Sequence, residues 1–237
     1  MRKLGLLLLL PLLLTACGTS PKEEVTKALE QLELVDNYQM TITYTEKVRV
    51  LTHIESRTVE FENQNDVTHQ KEIVKTTITE GEQTTEETTY HDLKEQVVYT
   101  QDSITNQWYQ EPEESNSILD TTILTGESAE VEEVESEETS LLKYRISLST
   151  EDMKRLFFRE KNEKYISMLI HQPGEVFVYV NYQGYITKIE INLTDIIDMQ
   201  DPDSSCEEAK LVFTFEDYNN LDPIEIPLYV TETAITR

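Results

Sequence analysis

Val176–Ile191, VFVYVNYQGYITKIEI, decides the architecture. Val176, Val178 and Val180 fall on one side and Phe177 and Tyr179 on the other. This is the period-two alternation of a strand, in β-branched and aromatic residues suited to a pleated surface. Asn181 to Gly184 supplies turn chemistry, and Ile189, Ile191 and Leu193 then alternate with Lys188, Glu190 and Asn192. Two such runs joined by a short turn predict an antiparallel hairpin, opened by Pro173-Gly174.

The same pattern extends to both sides. Upstream, Leu142, Tyr144, Ile146 and Leu148 alternate with Lys143, Arg145 and Ser147. Ser149 and Thr150 can cap a short helix that carries Met153, Leu156 and Phe157 on one side. Downstream, Leu211, Phe213 and Phe215 predict another strand. Ile224, Ile226, Leu228 and Val230 predict a last one, placed at an edge because Pro227 cannot donate to a ladder.

The first half repeats the design in more polar residues. Ser20-Pro21-Lys22-Glu23 reads as a helix start: a capping serine, proline at the first helical position and a glutamate to close the box. Val25, Ala28, Leu29, Leu32 and Val35 follow at helical spacing. From Gln39 the period falls to two, with Met40, Ile42, Tyr44, Val48 and Val50 on one face, and Val59 and Phe61 continue it. Residues 72–79 and 84–92, rich in Thr and Glu, predict a hairpin around Gly81; residues 96–101 and Trp108-Tyr109 predict short strands. Ile118, Leu119, Thr122 and Ile123 fit a short helix between Pro112 and Gly126. Residues 127–138 carry seven Glu, broken by Val131 and Val134, and fit an exposed edge strand, a loop or a break between domains. The fold class expected is α+β: one large curved antiparallel sheet, a half-barrel, with a few amphipathic helices against its concave face.

The N-terminus predicts location. Arg2 and Lys3 precede the leucine-rich stretch Leu4–Leu14, about half the length of a membrane-spanning helix, and Thr15-Ala16-Cys17 follows. Leu14-Thr15-Ala16-Cys17 resembles the bacterial lipobox. The resemblance implies cleavage between Ala16 and Cys17, lipid on Cys17, and attachment to the extracytoplasmic face of the bacterial membrane through that lipid. The expected organisation is a signal peptide over 1–16, the lipidated cysteine and a short tether over 17–20, and a single domain over 21–237.

Composition narrows the partners. With 46 acidic against 20 basic residues the chain carries a net charge of −26, and losing Arg2 and Lys3 makes it more negative. Such a surface repels nucleic-acid phosphates, so no nucleic-acid partner is expected, and it favours cationic ones. Once Cys17 is lipidated, Cys206 is the other cysteine of the chain and no internal disulfide staples the fold.

Catalytic and metal signatures are weak. No Gly-x-Ser-x-Gly occurs, and Ser140-Leu141-Leu142-Lys143 opens a strand pattern rather than the helix that Ser-x-x-Lys chemistry needs. His53, His69, His91 and His171 are isolated, without zinc-ligand spacing. Asp195, Asp198, Asp201 and Asp203, followed by Glu207 and Glu208, are the best calcium candidate. However, Cys206 stands where the turn glycine belongs and Val212 where the terminal glutamate belongs. Six glycines leave little room for a phosphate-cradling loop. No enzyme activity, cofactor or metal is therefore expected.

A lipobox, a short tether, an amphipathic helix entering a long Thr-rich meander and a closing sheet together resemble the LolA/LppX/LprG-like bacterial lipoproteins. The likeness extends to uncharacterised lipoproteins of low-GC Gram-positive bacteria. Val176–Ile191, Leu211–Asn219 (LVFTFEDYN) and Ile224-Glu225-Ile226-Pro227 carry the local likeness. What the resemblance implies is a sheet curled around helices, often enclosing an apolar, lipid-accepting cavity. Ile42, Tyr44, Ile146, Leu148, Phe157, Val178 and Phe213 are the candidate ligand-facing residues as a class; of the adjacent Phe157 and Phe158, which cannot both face the same way, one is expected to line a cavity mouth or rest on the sheet edge. A one-residue register slip would put the opposite face inward. The expectation is a non-catalytic lipid-anchored surface lipoprotein binding an apolar or lipidic ligand. The alternative is a cavity-free interaction module that docks on another envelope protein through its acidic face.

Overall fold

The computed structural model describes residues 19–113, 120–157, 170–196 and 203–237. The signal stretch with Ala16 and Cys17 lies outside the described residues, as do Ile118, Leu119, Phe158, Asp198 and Asp201.

Helix α1 (Pro21–Glu33) starts as its sequence dictates. The Ser20 hydroxyl accepts from the Glu23 N–H at 3.3 Å and the Glu23 carboxylate accepts from the Ser20 N–H at 3.0 Å, with Pro21 in the first turn. Strands β1 (Asn37–Val50), β2 (His53–Asp66), β3 (Lys71–Glu80), β4 (Gln83–Asp92), β5 (Val97–Gln101) and β6 (Trp108–Pro112) form a meander, each antiparallel to the next. A 3₁₀ turn (Thr121–Thr125), capped by Asp120, occupies part of the predicted 112–126 helix and ends before Gly126.

Strand β7 (Glu130–Val134) is the acidic stretch and lies at one edge of the sheet. Beyond it come β8 (Leu141–Leu148), helix α2 (Thr150–Leu156), β9 (Gly174–Asn181), β10 (Ile186–Asn192) and β11 (Ser204–Glu216). Ser149 caps α2 by accepting from the Asp152 N–H at 3.1 Å. The β9–β10 turn places Gly184 at φ +88°, a left-handed conformation that glycine adopts without strain.

The C-terminus departs from expectation. Residues 224–230 are not a strand: Pro227 caps a short helix α3 (Leu228–Thr233), and the Val230 N–H donates to the Pro227 carbonyl at 2.9 Å. Proline's fixed φ suits a helix start, and its missing N–H costs nothing there. The final strand is instead β12 (Ile235–Thr236), which pairs in parallel with β6 at the other sheet edge. The described strands join one curved, open, mostly antiparallel sheet in the order β12-β6-β5-β4-β3-β2-β1-β11-β10-β9-β8-β7, a half-barrel of α+β class. β1 and β11 bridge its two halves in register Ile42 to Phe213 and Tyr44 to Leu211.

The core lies between the inner face of one half and the helices. α1 packs on β7, β9 and β10 and α2 packs on β8. Val25 and Ala28 of α1, Met153 and Leu156 of α2, and Ile146, Val176, Val178, Ile189 and Ile191 of the sheet are closed to solvent. Each fully buried aliphatic side chain contributes on the order of 1.5–3 kcal/mol. Tyr144 anchors α1 by donating its hydroxyl to the Glu24 carboxylate at 2.5 Å.

Candidate functional site

The ladder register defines four rows of side chains across the inner face from β1 into the meander. Tyr44 lies opposite Val59 and then Ile78; Ile42 opposite Phe61 and Thr76; Met40 opposite Asn63, Val74 and Thr89; Tyr38 opposite Asn65, Glu72 and His91. Successive rows are two residues, about 7 Å, apart along the strands. The first two rows and Val74 make an apolar strip. Ile42 and Val59 in it are buried, but Tyr44, Phe61, Val74, Thr76 and Ile78 are only half-buried. This strip extends the core beyond the strands on which α1 and α2 pack.

The row that begins at Tyr38 is polar. His91 Nδ1 lies 2.8 Å from a Glu113 carboxylate oxygen, and His91 Nε2 lies 3.0 Å from the Thr89 hydroxyl. In the neutral ring, Nδ1–H donates to Glu113 and Nε2 accepts from Thr89. The His91 and Glu113 side chains are 14% and 7% exposed, so this pair is sheltered from water. Burial raises the Glu72 pKa; nearby His91 and a hydrogen bond from Asn63 oppose the rise, and Glu113 adds to it. The Tyr38 hydroxyl is pushed up to about 12 by burial and by Glu72. Tyr38 also sits against the rings of Phe215 and Tyr218, both 6.1 Å away, and Tyr218 stacks on Tyr185.

The outer face of the meander is covered differently. The C-terminal segment crosses it: the buried Asp66 carboxylate accepts from the Ile224 N–H at 3.0 Å and the His69 N–H at 2.9 Å. Val230 is closed to solvent, and Tyr229 packs edge-on against Trp108, which also contacts Tyr90. At the β6 edge Arg237 lies over the Tyr109 ring and reaches Glu111 at 3.2 Å, two residues in register with Thr89 and His91 of the inner face.

A shallow cleft of about 250 Å³ opens elsewhere, between α1 and the β9–β10 turn, lined by Lys27, Leu142, Val180 and Tyr182 among others. It is smaller than the roughly 300–1,000 Å³ usual for ligand pockets.

The candidate ligand-facing residues fall on the helix-bearing face. Ile42, Ile146, Leu148, Phe157, Val178 and Phe213 are all under 9% exposed and belong to the core cluster, and Tyr44 packs half-buried against it. The accessible part of the inner face holds Tyr44 together with Phe61, Val74 and Ile78, which the sequence had not singled out as ligand-facing. The histidines disperse as read, although His69 pairs with Asp66 and His91 with Glu113. Of the calcium candidate, Glu207 and Glu208 are engaged by Arg49 and Lys47. Among the described residues, no three His, Cys, Asp or Glu side chains are arranged to hold a metal ion. The half-buried Cys206 thiol is pushed up by burial and by neighbouring Glu46. Among the described residues no helix is long and apolar enough to cross a membrane.

No protein-family model matches the chain, and no curated protein matches its sequence. Solved structures do match. The lipoprotein LppX of Mycobacterium tuberculosis superposes with a TM-score of 0.54 at 11% identity, over 86% of this chain and 98% of LppX. LprF of Mycobacterium bovis follows with a TM-score of 0.46 at 8% identity, over 87% and 95%. A LolA superfamily protein of Nitrosomonas europaea has a TM-score of 0.31 at 10% identity, over 87% and 96%. The likeness to LppX shows a shared fold.

Proposed function

We propose that this chain is a non-catalytic, lipid-anchored lipoprotein of the bacterial cell envelope that holds an apolar or lipidic ligand on the inner face of its half-barrel. The observation that carries this reading is the apolar strip Tyr44, Val59, Phe61, Val74 and Ile78, which continues the core along a concave wall yet is left partly open. Acyl chains bury against such a surface with few polar contacts. The fold shared with LppX, itself a lipoprotein, supports an envelope setting and is in keeping with the resemblance to the LolA/LppX/LprG-like lipoproteins. In this reading residues 1–16 are the signal peptide, Cys17 carries the lipid, and residues 21–237 form one domain held at the extracytoplasmic face. α1 begins at Pro21, so a tether this short keeps the domain at the membrane surface.

The test is to extract the whole protein from cells in a non-ionic detergent and identify lipids that leave on organic extraction but not on washing. A stoichiometric, non-covalent lipid is expected. Protein that stays lipid-free after incubation with envelope lipids overturns the ligand reading. Separately, Cys17→Ala is expected to release the protein from membranes; a variant that still sediments with them overturns the anchor.

A second reading is favoured by the filled core under α1 and α2, where Ile146, Val176, Val178 and Ile191 are wholly excluded from water. A closed half of this kind suits a cavity-free interaction module that selects a basic envelope partner by charge. The lipid-free outcome above is the one that would favour it.

A further inference from the structure

Exposed apolar side chains gather at one end of the sheet. Leu34, the residue after α1, is 77% exposed; Val67 in the β2–β3 turn is 40%, Leu93 in the β4–β5 turn 38% and Tyr182 in the β9–β10 turn 73%. Backbone hydrogen bonds stitch the first three into a line. The Val67 N–H donates to the Asp36 carbonyl at 3.0 Å, and the Leu93 N–H donates to the Gln70 carbonyl at 2.9 Å. Leu34 shares its side of α1 with Lys27 and Gln31 at helical spacing, and those two line the cleft whose far wall holds Tyr182. Single exposed leucines are ordinary on a protein surface, whereas a contiguous run marks a contact surface.

The position of the tether selects what meets this rim. Thr19 lines the same cleft as Tyr182, and Cys17 stands two residues before it. Two residues reach at most about 7 Å, so a lipid on Cys17 would hold this end of the sheet against the bilayer. Leu51 and Ile54 of the β1–β2 hairpin and Ile104 in the β5–β6 turn are also exposed, but at the opposite end. The length of β1 separates the two ends by roughly 45 Å. On the rim, Lys27 and Lys94 stand among Glu33, Asp36 and Glu95, so no positive excess draws it to an anionic layer. The fit is apolar, and tyrosine is a side chain that settles at a membrane–water interface. We propose that Leu34, Val67, Leu93 and Tyr182 form a rim that rests in the headgroup region of the anchoring bilayer, standing the half-barrel upright with its β1–β2 end away from the membrane. This rests on the Cys17 anchor reading and adds to it a second contact, made by the protein itself.

The test places a tryptophan at either end of the whole lipidated protein, as Tyr182→Trp or Ile104→Trp. Each is reconstituted in vesicles of phosphatidylcholine, with or without bromine on the upper part of the acyl chains as a quencher. The native Trp108 is buried and supplies a common background. Both substitutions are at exposed turn positions, where a change of side chain leaves folding intact. Tyr182→Trp is expected to shift its emission to the blue in vesicles and to lose intensity in the brominated ones. Ile104→Trp is expected to show neither change beyond the wild-type background. Adding Leu34→Glu and Leu93→Glu to Tyr182→Trp is expected to reverse both effects while the protein still floats with the vesicles. Equal quenching at the two ends overturns the rim, because the domain then lies on its side. Quenching at neither end, in protein that floats with the vesicles, overturns the rim and leaves the anchor standing. Quenching undiminished by the two glutamates overturns the apolar contact. Protein that does not float with vesicles at all overturns the anchor reading, and the rim with it.

Discussion

The two halves of this sheet share one hydrogen-bonded ladder but are held by different forces. From β7 to β11 the inner face lies under α1 and α2, and Tyr144, Ile146, Val178 and Ile189 are at most 1% exposed. From β2 to β6 the inner face is half-open, and cover comes instead from the C-terminal segment on the outer face. Dispersion and apolar burial dominate the first half; ladder hydrogen bonds and a pinned strap dominate the second. Regions with few buried apolar contacts open first, so the meander is the part of the molecule able to admit a ligand without unfolding the rest.

The sharpest way to break this contrast is a pair of truncations. Ile146→Ala removes a wholly buried side chain and is expected to cost about 2–5 kcal/mol, whereas Ile78→Ala on the half-buried strip is expected to cost well under half as much. Urea unfolding of the two variants measures both; equal costs would mean that the strip is a second closed core. Next in size is Asp66→Asn, which weakens the strap and is expected to cost about 1–3 kcal/mol and to speed amide exchange over residues 224–234. Burial alone would raise the pKa of Asp66, but the N–H groups of His69 and Ile224 and the His69 ring together hold it below the ordinary value. Its contribution is therefore complete above that ordinary value and is lost as pH falls through the lowered one. The stability gap between wild type and Asp66→Asn is expected to narrow below about pH 4. A gap independent of pH would remove the carboxylate from the strap's energetics. The smallest effect is Tyr144→Phe, which loses the hydrogen bond to Glu24 for about 1 kcal/mol and affects only the helix-covered half.

What the sequence made legible follows the same division. Leu142 to Leu148 and Lys188 to Leu193 alternate strictly between apolar and polar, so their strands could be read and one face of each marked as apolar. The Thr-rich meander could be read as strands, but threonine is at home on either face, so its cover could not. The strap was misread because Ile224, Ile226, Leu228 and Val230 keep period two across Pro227. That proline starts a helix, and only tertiary contact with Asp66 and Trp108 shows it. His91 looked isolated because its carboxylate partner, Glu113, is 22 residues away in sequence. The hairpin centred on the turn after Glu80 did contain the signal, since a two-residue connection sets Glu72 opposite His91. The burial of Asn63 and Asn65 had no such signal, because burial of an amide depends on the whole fold.

A half-barrel that never closes keeps two free margins, each able to template another strand. One margin is occupied by the chain's own last residues, where Ile235 and Thr236 lie along Tyr109 and Gln110. The other is β7, whose Glu130, Glu132 and Glu133 occupy both of its faces. Two copies meeting there would bring carboxylates against carboxylates across the new pairing, which is unfavourable. Wherever copies of this chain are crowded, that repulsion keeps neighbouring sheets from stitching together along this margin.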